Sequence, residues 1–327
     1  MQAYQNILQA IGKTPIVKLN AVTCGLDANF YAKCEFMNPG GSTKDRIGLH
    51  IIDVAEKEGL LKPGGTIIEA TSGNTGVGLA MVAAVRGYKC IFVMADKQSE
   101  EKRRVLRAFG AQVVVCPTNV DPQDPCSYYR VAEKLVRETP NSFHANQYYN
   151  PANPETHYLS TGPEIWEQCG NELDIFILSI GTGGTVSGIT KYLCEKNPHI
   201  QVVGVDPIGS IFYELFHTGK TPQAHSYFVE GIGEDFMPGT MTLSCMNDIV
   251  QVSDKESFDM ARRLIKEEAL LVGGSSGAAV AGAIKYVQHR LKWTHERKPN
   301  ILVLLPDSSS RYLSKFLNDD WMKEIKL

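Results

Sequence analysis

The chain has 327 residues, 43% of them hydrophobic and 21% charged, a composition typical of an ordinary globular protein. Its formal charge of −3 gives no electrostatic reason to bind nucleic acid or anionic lipid, and no apolar run approaches the roughly 20 residues of a membrane helix. The N-terminus has no secretory signal, and the eight cysteines are scattered without a CxxC pair, which favours a reducing cytoplasm and predicts no metal site.

The first segment that could carry chemistry is GGSTKDR (40–46), which precedes a predicted helix. Ser42 and Asp45 have the spacing of a capping box. Lys44 then lies in the first turn, where the helix dipole disfavours an ammonium group. Such a position suits a lysine whose pKa is lowered so that it forms a Schiff base. Taken alone, Lys44 would still be interpreted as an ordinary surface lysine.

From residue 66 onward, apolar runs alternate with helical patterns, as in parallel sheets covered by helices. The predicted strands are TIIEA (66–70), KCIFVMA (89–95), AQVVVCP (111–117), LDIFILSI (173–180), IQVVGVDP (200–207) and NILVLLPDS (300–308). Two such series predict an α/β protein with two doubly wound lobes, and YYNPANPE (148–155) is the predicted crossover. The basic run 102–107 is predicted to be a solvated helix face rather than a phosphate or nucleic-acid patch.

Three glycine-rich turns follow predicted strands, where ligands bind in open α/β sheets. GTGGT (181–185) is the best phosphate site, because its glycines allow close approach and the next helix directs N–H groups at an anion. It lacks the P-loop lysine and the third glycine of GxGxxG, which favours a cofactor phosphate over a transferred one. Taken alone, it is explained equally well as a tight strand-to-helix turn.

The other two turns are TSGNTG (71–76) and GGSSG (273–277). TSGNTG offers hydroxyls, an amide and backbone N–H groups without any charge, which suits a substrate carboxylate at a helix start. The alternative is an N-capping turn, with Ser72 or Asn74 as the cap. GGSSG follows LLV (270–272), which is predicted to be a short strand.

Together these segments resemble the pyridoxal-phosphate enzymes of the β-replacement group, with the fold type II architecture of the tryptophan synthase β-like proteins. The matching segments cover nearly the whole chain in family order: IGKTPIVKLN, AKCEFMNPGGSTKDRI, IIEATSGNTGVGLA, SIGTGGTVSGI, VEGIGEDFMP, LLVGGSSGAAVA and LPDSSSRYLSKFLNDDWM. Within the group they resemble the cystathionine β-synthases, with the cysteine synthases as close relatives. The resemblance implies a larger, phosphate-binding lobe (1–43 and 150–327) and a smaller lobe (44–149) that binds the substrate carboxylate.

The resemblance also implies a role for each site residue. Lys44 would hold pyridoxal 5′-phosphate and act as the catalytic base, Asn74 would contact the ring oxygen, and Ser275 would face the pyridine nitrogen. The phosphate would be bound by Gly181, Thr182, Gly183, Gly184 and Thr185. The substrate carboxylate would be bound by Thr71, Ser72, Thr75 and Gln147, while Gly231 and Gly233 would line the substrate channel. A serine cannot keep the pyridine nitrogen protonated, which weakens the electron sink and favours elimination and replacement over transamination.

The implied reaction joins L-serine to L-homocysteine in a ping-pong sequence. Lys44 would remove the α-proton, the hydroxyl would leave as water, the thiol would add, and Lys44 would return the proton to give L-cystathionine. Cysteine synthase chemistry, with O-acetylserine and sulfide, is the alternative, and a serine or threonine dehydratase is a weaker one. Glu234 stands where the animal enzyme has tyrosine, which leaves the second substrate open.

The resemblance bears on assembly and on rival classes as well. The chain begins about ten residues before GKTP and ends after the catalytic region, so neither haem nor regulatory domains are expected. A homodimer is expected, with the apolar segment YLSKFL (312–317) as a contributor. A dinucleotide-dependent oxidoreductase would need the missing GxGxxG, and the presence of Lys44 argues against an inactive binding module.

Overall fold

The computed structural model describes residues 3–121 and 123–327. Within these ranges the strands are β1 Ile16–Lys18, β2 Asn29–Cys34, β3 Thr66–Ala70, β4 Lys89–Ala95, β5 Gln112–Cys116, β6 Ser142–His144, β7 Ile175–Ser179, β8 Gln201–Pro207, β9 Asp248–Val252 and β10 Asn300–Leu305. The helices are α1 Lys44–Lys57, α2 Asn74–Arg86, α3 Glu100–Ala108, α4 Tyr128–Glu138, α5 Ala152–Thr156, α6 Gly162–Cys169, α7 Gly184–Lys196, α8 Phe212–Thr218, α9 Asp254–Glu268, α10 Gly274–His289 and α11 Asp319–Glu324. None of these helices is long and apolar enough to cross a membrane.

The strands form two sheets, which confirms the predicted α/β class. One has six strands in the order β1-β2-β10-β7-β8-β9, parallel except for β1. The other has four parallel strands in the order β5-β4-β3-β6. All five residues of β3 are buried, as are all but one of the residues of β7, because helices cover both faces of each sheet. The lobe boundaries at 43/44 and 149/150 stay a prediction.

A contact between two glycines brings α1 and α2 together. A Cβ at Gly48 would lie 2.5 Å from the backbone of Gly78, and a Cβ at Gly78 would lie 2.5 Å from the carbonyl oxygen of Lys44. Only glycine lets the two helix backbones approach this closely. The first turn of α1, which carries Lys44, is therefore fixed against the helix that follows TSGNTG.

The predicted capping box of α1 does not form, and neither Ser72 nor Asn74, the alternative caps considered for α2, is its N-cap. The N-cap of α1 is Thr43, and the Asp45 carboxylate accepts a hydrogen bond from the N–H of Gly40 at 2.5 Å instead of completing a capping box with Ser42. The N-cap of α2 is Gly73, whose φ of 120° excludes most other residues. The Thr71 hydroxyl accepts the Gly73 N–H at 2.9 Å, so the turn is stabilised from its strand side.

Three further expectations are wrong in whole or in part. Residues 270–272 do not form a strand, since only an isolated bridge joins Val272 to Ser308. Lys102, predicted to lie on a solvated face, is buried instead. Its side chain is only 1% exposed and pairs with Glu230. The segment YLSKFL is an exposed apolar surface only in part: Leu313 is exposed, whereas Tyr312 and Phe316 are buried in the core.

Candidate active site

The predicted site residues gather around two adjoining cavities beyond the ends of β3 and β7. The cavities have volumes of about 380 Å³ and 40 Å³, and Lys44, Thr182, Gly231 and Ile232 line both of them. Among the predicted residues, the larger cavity is also lined by Ser72, Gln147 and Gly233, and the smaller one by Asn74, Gly181, Gly183, Thr185 and Ser275. Thr71, Thr75 and Gly184 do not line either cavity.

Lys44 lies where the two cavities meet. Its Nζ is 3.5 Å from the Thr182 hydroxyl, so the amine faces the GTGGT turn. Burial lowers the pKa of Lys44 to about 8, and the Glu234 carboxylate counteracts part of this shift. An amine with such a pKa is partly unprotonated near neutrality, which is what a nucleophile or a base at this place requires.

The GTGGT turn combines close packing with neutral hydrogen-bonding groups. Gly183 has a φ of 88° and begins the tight entry into α7. The Thr185 hydroxyl lies 3.2 Å from Nε2 of His157, a residue that sequence reasoning missed. Burial, together with the charges of Lys44 and Arg46, lowers the pKa of His157 to about 3, so the imidazole is neutral. Neutral donors at the start of a 13-residue helix suit a phosphate.

The turn TSGNTG, predicted to bind the substrate carboxylate, is held in shape by buried partners. The Thr75 hydroxyl donates to Oε1 of Gln147 at 2.6 Å, and Nε2 of Gln147 donates to the carbonyl of Ala70 at 3.0 Å. Ser72 faces the larger cavity, whereas Thr71 and Thr75 are buried. In this structure, Thr71 and Thr75 order the turn, and Ser72 is the side chain of the three that a ligand would meet.

Asn74 is positioned by two residues that sequence reasoning also missed. Its Nδ2 donates to Oδ2 of Asp307 at 2.8 Å, and its Oδ1 accepts from the guanidinium of Arg311. The Tyr312 hydroxyl donates to the same Asp307 oxygen at 2.6 Å. The available signal was the segment LPDSSSRY, which follows β10 at the same end of the sheet as GTGGT follows β7.

Ser275, in the first turn of α10, is 4% exposed and lines the smaller cavity with Lys44 and Asn74. Within the described ranges no carboxylate lines that cavity. An aromatic ring between Lys44 and α10 would therefore meet a neutral hydroxyl. The amine, the GTGGT turn and this hydroxyl together fit pyridoxal phosphate, which carries an aldehyde, a phosphate and a ring nitrogen.

Two α/β halves with a lysine amine facing a glycine-rich turn at a helix start are typical of the class of pyridoxal-phosphate enzymes. Residues 7–307 match the family model described as pyridoxal-phosphate dependent enzyme, and the chain belongs to this family. It is 48% identical to the cystathionine beta-synthase of Apis mellifera over 97% of this chain and 62% of that protein. It is 41% identical to the cysteine synthase of Staphylococcus aureus over 94% of this chain and 95% of that protein.

A solved structure agrees with these relationships. The O-acetylserine dependent cystathionine beta-synthase from Helicobacter pylori superposes with a TM-score of 0.86 at 38% identity, covering 96% of this chain and 99% of that chain. The chain spans 62% or less of the length of the animal cystathionine beta-synthases that it matches. The fold class and the cofactor expected from the sequence, pyridoxal phosphate, are confirmed.

Proposed function

We propose that the protein condenses L-serine with L-homocysteine to give L-cystathionine and water, a β-replacement step of transsulfuration in cysteine biosynthesis. The observation that carries this proposal is the cavity of about 380 Å³ beyond Lys44, which contains the Glu234 carboxyl. Pockets for small organic ligands measure about 300–1,000 Å³, whereas a water-sized molecule occupies about 30 Å³. An amino-acid thiol therefore fills more of this cavity than sulfide, which is close to water in size.

The chain supplies positioning and proton transfer for this reaction. When bound, pyridoxal phosphate supplies the electron sink that makes the α-carbon of an amino acid acidic. Lys44 would hold the cofactor and, once displaced by the substrate, is the amine placed to take the α-proton and later return it. Ser72, Gln147 and the backbone N–H groups of residues 71–76 would bind the substrate carboxylate. The turn at 181–185 would bind the phosphate, Asn74 would contact the ring oxygen, and Ser275 would face the ring nitrogen.

The test is a matrix of steady-state assays in which serine or O-acetylserine is paired with homocysteine or sulfide. We expect the highest kcat/KM for homocysteine in the presence of serine. A preference for O-acetylserine with sulfide would reject the proposal in favour of a cysteine synthase. A preference for O-acetylserine with homocysteine would change only the first substrate, as the name of the Helicobacter pylori protein suggests for that relative.

The second candidate function is cysteine synthase. It is favoured by the Staphylococcus aureus relative, because the match covers 95% of that protein. The cytoplasmic location and the homodimer remain proposals as well. A dimeric mass in sedimentation equilibrium is the expected result for the assembly, and a monomeric mass would contradict it.

A further inference from the structure

Glu234 enters the larger cavity from a loop whose backbone is held on three sides. The Gly233 N–H donates to the carbonyl of Ile180 at 2.7 Å, at the end of β7. The Glu234 N–H donates to the Ser210 hydroxyl at 3.1 Å, and its carbonyl accepts from the N–H of Ile211 at 3.1 Å. The side chain of Glu234 therefore projects from a fixed point beside Lys44 rather than from a free loop.

The carboxylate of Glu234 has no hydrogen-bond or ion-pair partner among the described residues. Glu230, four residues earlier in the same loop, does pair, with Lys102 at 2.6 Å. Burial and the neighbouring Asp235 raise the pKa of Glu234 to about 8, while the charges of Lys97 and Lys44 act in the opposite direction. The side chain of Glu234 is half-buried, and a cationic ligand would offset the cost of partly desolvating an unpaired carboxylate.

Lys97 brings a positive charge to the mouth of the same cavity. It is exposed just beyond the end of β4, and its Nζ lies 5.5 Å from the centre of the Tyr227 ring. The Tyr227 hydroxyl donates to the carbonyl of Ile232 at 3.0 Å, which fixes the ring over which the ammonium lies. Lys97 has no carboxylate partner within the described residues. Its ammonium group is therefore available to a ligand or to solvent.

We propose that Glu234 and Lys97 form a subsite for the head group of the second substrate, an α-amino acid that carries a thiol, with Glu234 binding its ammonium and Lys97 its carboxylate. This inference rests on the function proposed above and assigns its specificity to two residues. An α-amino acid presents the two opposite charges on one carbon, and its thiol then extends toward Lys44. Sulfide offers no group for either residue, so the subsite selects an amino-acid thiol against sulfide.

Four thiols distinguish the proposed contact of Glu234 with the ammonium group from that of Lys97 with the carboxylate. L-Homocysteine carries both charges, 4-mercaptobutyrate lacks the ammonium, 3-mercaptopropylamine lacks the carboxylate, and sulfide lacks both. Each is assayed at saturating first substrate with wild-type holoenzyme and with Glu234→Gln and Lys97→Met. A hydrogen bond to a charged group contributes roughly tenfold or more in binding when its partner is removed.

Glu234→Gln is expected to lower kcat/KM for homocysteine and 3-mercaptopropylamine about tenfold or more, mainly through KM. It should change kcat/KM for 4-mercaptobutyrate and sulfide less than about threefold. Lys97→Met should lower kcat/KM for homocysteine and 4-mercaptobutyrate instead. Glu214→Gln and Lys220→Met remove the same charges from exposed positions outside the cavity and should leave all four thiols unaffected.

Two failures are distinguishable. If Glu234→Gln lowers kcat/KM for all four thiols equally, the residue acts through Lys44, and the subsite is rejected while the proposed function stands. A uniform effect, or no effect, of Lys97→Met rejects the carboxylate contact in the same way. If the wild-type enzyme itself prefers sulfide to homocysteine, both the proposed function and the subsite are rejected, and this outcome is visible without any variant.

Discussion

At the scale of single residues, Lys44 is the side chain on which the proposed chemistry depends. Replacing it by alanine should lower turnover by about 10²–10⁴-fold, since that is the contribution of a positioned acid–base group. The visible absorption of the covalently held cofactor should be lost as well, because no other amine lines the smaller cavity in the described part of the chain. Lys57→Ala, at the exposed end of the same helix, is the matched control. Full activity of the Lys44→Ala enzyme would refute the mechanism.

Single residues were predictable where one local pattern contained the whole argument. Lys44 and Thr182 were predicted from motifs, and both line the two cavities. His157 and Asp307 were missed because they reach the site from distant parts of the chain. The Asp45 cap was wrong for the same reason: its carboxylate is engaged by Gly40, upstream of the helix.

At the scale of elements, a buried ion network anchors the start of α1 to the rest of the fold. The Arg46 guanidinium contacts Glu35 at 2.8 Å and Glu164 at 2.9 Å, and the Thr14 hydroxyl donates to Glu35 at 2.6 Å. Burial would raise the pKa of Glu35, but Arg46 and Thr14 lower it to about 2. This network explains why IGKTP, AKCE and TKDR occur together: each contributes one member.

Glu35→Gln should therefore reduce the free energy of unfolding by about 3–5 kcal/mol, because it leaves Arg46 buried without its full charge partner. Denaturation by urea, followed by circular dichroism, measures the change. Glu56→Gln removes a carboxylate that pairs with the partly exposed Arg86 and should cost less than about 1 kcal/mol. Equal losses of unfolding free energy in the two variants would show that the buried network at α1 stabilises the protein no more than an exposed ion pair does.

The helical segment from α5 to α6 contains a π-helical turn, His157–Thr161, which turns His157 toward Thr185. The pKa of His157 is lowered from 6.5 to about 3 by burial, so the unfolded chain binds its proton first as the pH falls. The contribution of the neutral His157 side chain to the free energy of unfolding is therefore complete above about pH 6.5. It declines as the pH falls from 6.5 to 3.

The unfolding midpoints of the wild type and of His157→Gln should consequently converge as the pH is lowered from 7 to 5. Urea titrations at both pH values measure this difference. A gap that stays constant between pH 7 and pH 5 would show that protonation of His157 does not limit stability. His199→Gln, at an exposed position, is the control for the substitution itself.

Elements were predictable where burial dictates composition. Six of the seven predicted strands are present, the exception being 270–272, and the ends of these six differ from the prediction by at most three residues, because a strand covered on both faces must be apolar throughout. Helix α3 shows the limit. Its basic run has the charge pattern of a solvated face, but Lys102 faces a partner 128 residues away in the sequence. No local pattern contains that information.

At the scale of the whole molecule, strand order was beyond the reach of sequence patterns. Alternating strands and helices predicted two sheets, but not that β10, from the end of the chain, lies between β2 and β7. This insertion brings Ser42 to Asp307 in an isolated bridge and places Asp307 beside Asn74. The site is therefore assembled from both ends of the chain, which explains why its motifs are so widely spaced.

The buried pair of Lys102 and Glu230 joins the two halves of the molecule beside this site. Lys102 belongs to α3, next to the four-stranded sheet, while Glu230 belongs to the loop that lines the larger cavity. A Cβ at Gly73 would lie 2.8 Å from the Lys102 side chain, so the turn TSGNTG packs directly against this lysine. The pair thus links the turn that would bind serine to the loop that would admit the thiol.

Lys102→Met should lower the free energy of unfolding by about 3–5 kcal/mol, because it leaves the Glu230 carboxylate buried without a charge partner. It should also raise KM for serine, since the turn at 71–76 loses a fixed support. Adding Glu230→Met should restore most of the stability, because well-packed apolar pairs often replace buried ion pairs at little cost. Urea denaturation of both single variants and the double variant completes the cycle. If the two losses simply add, the pair is not coupled, and the two halves are joined by packing alone.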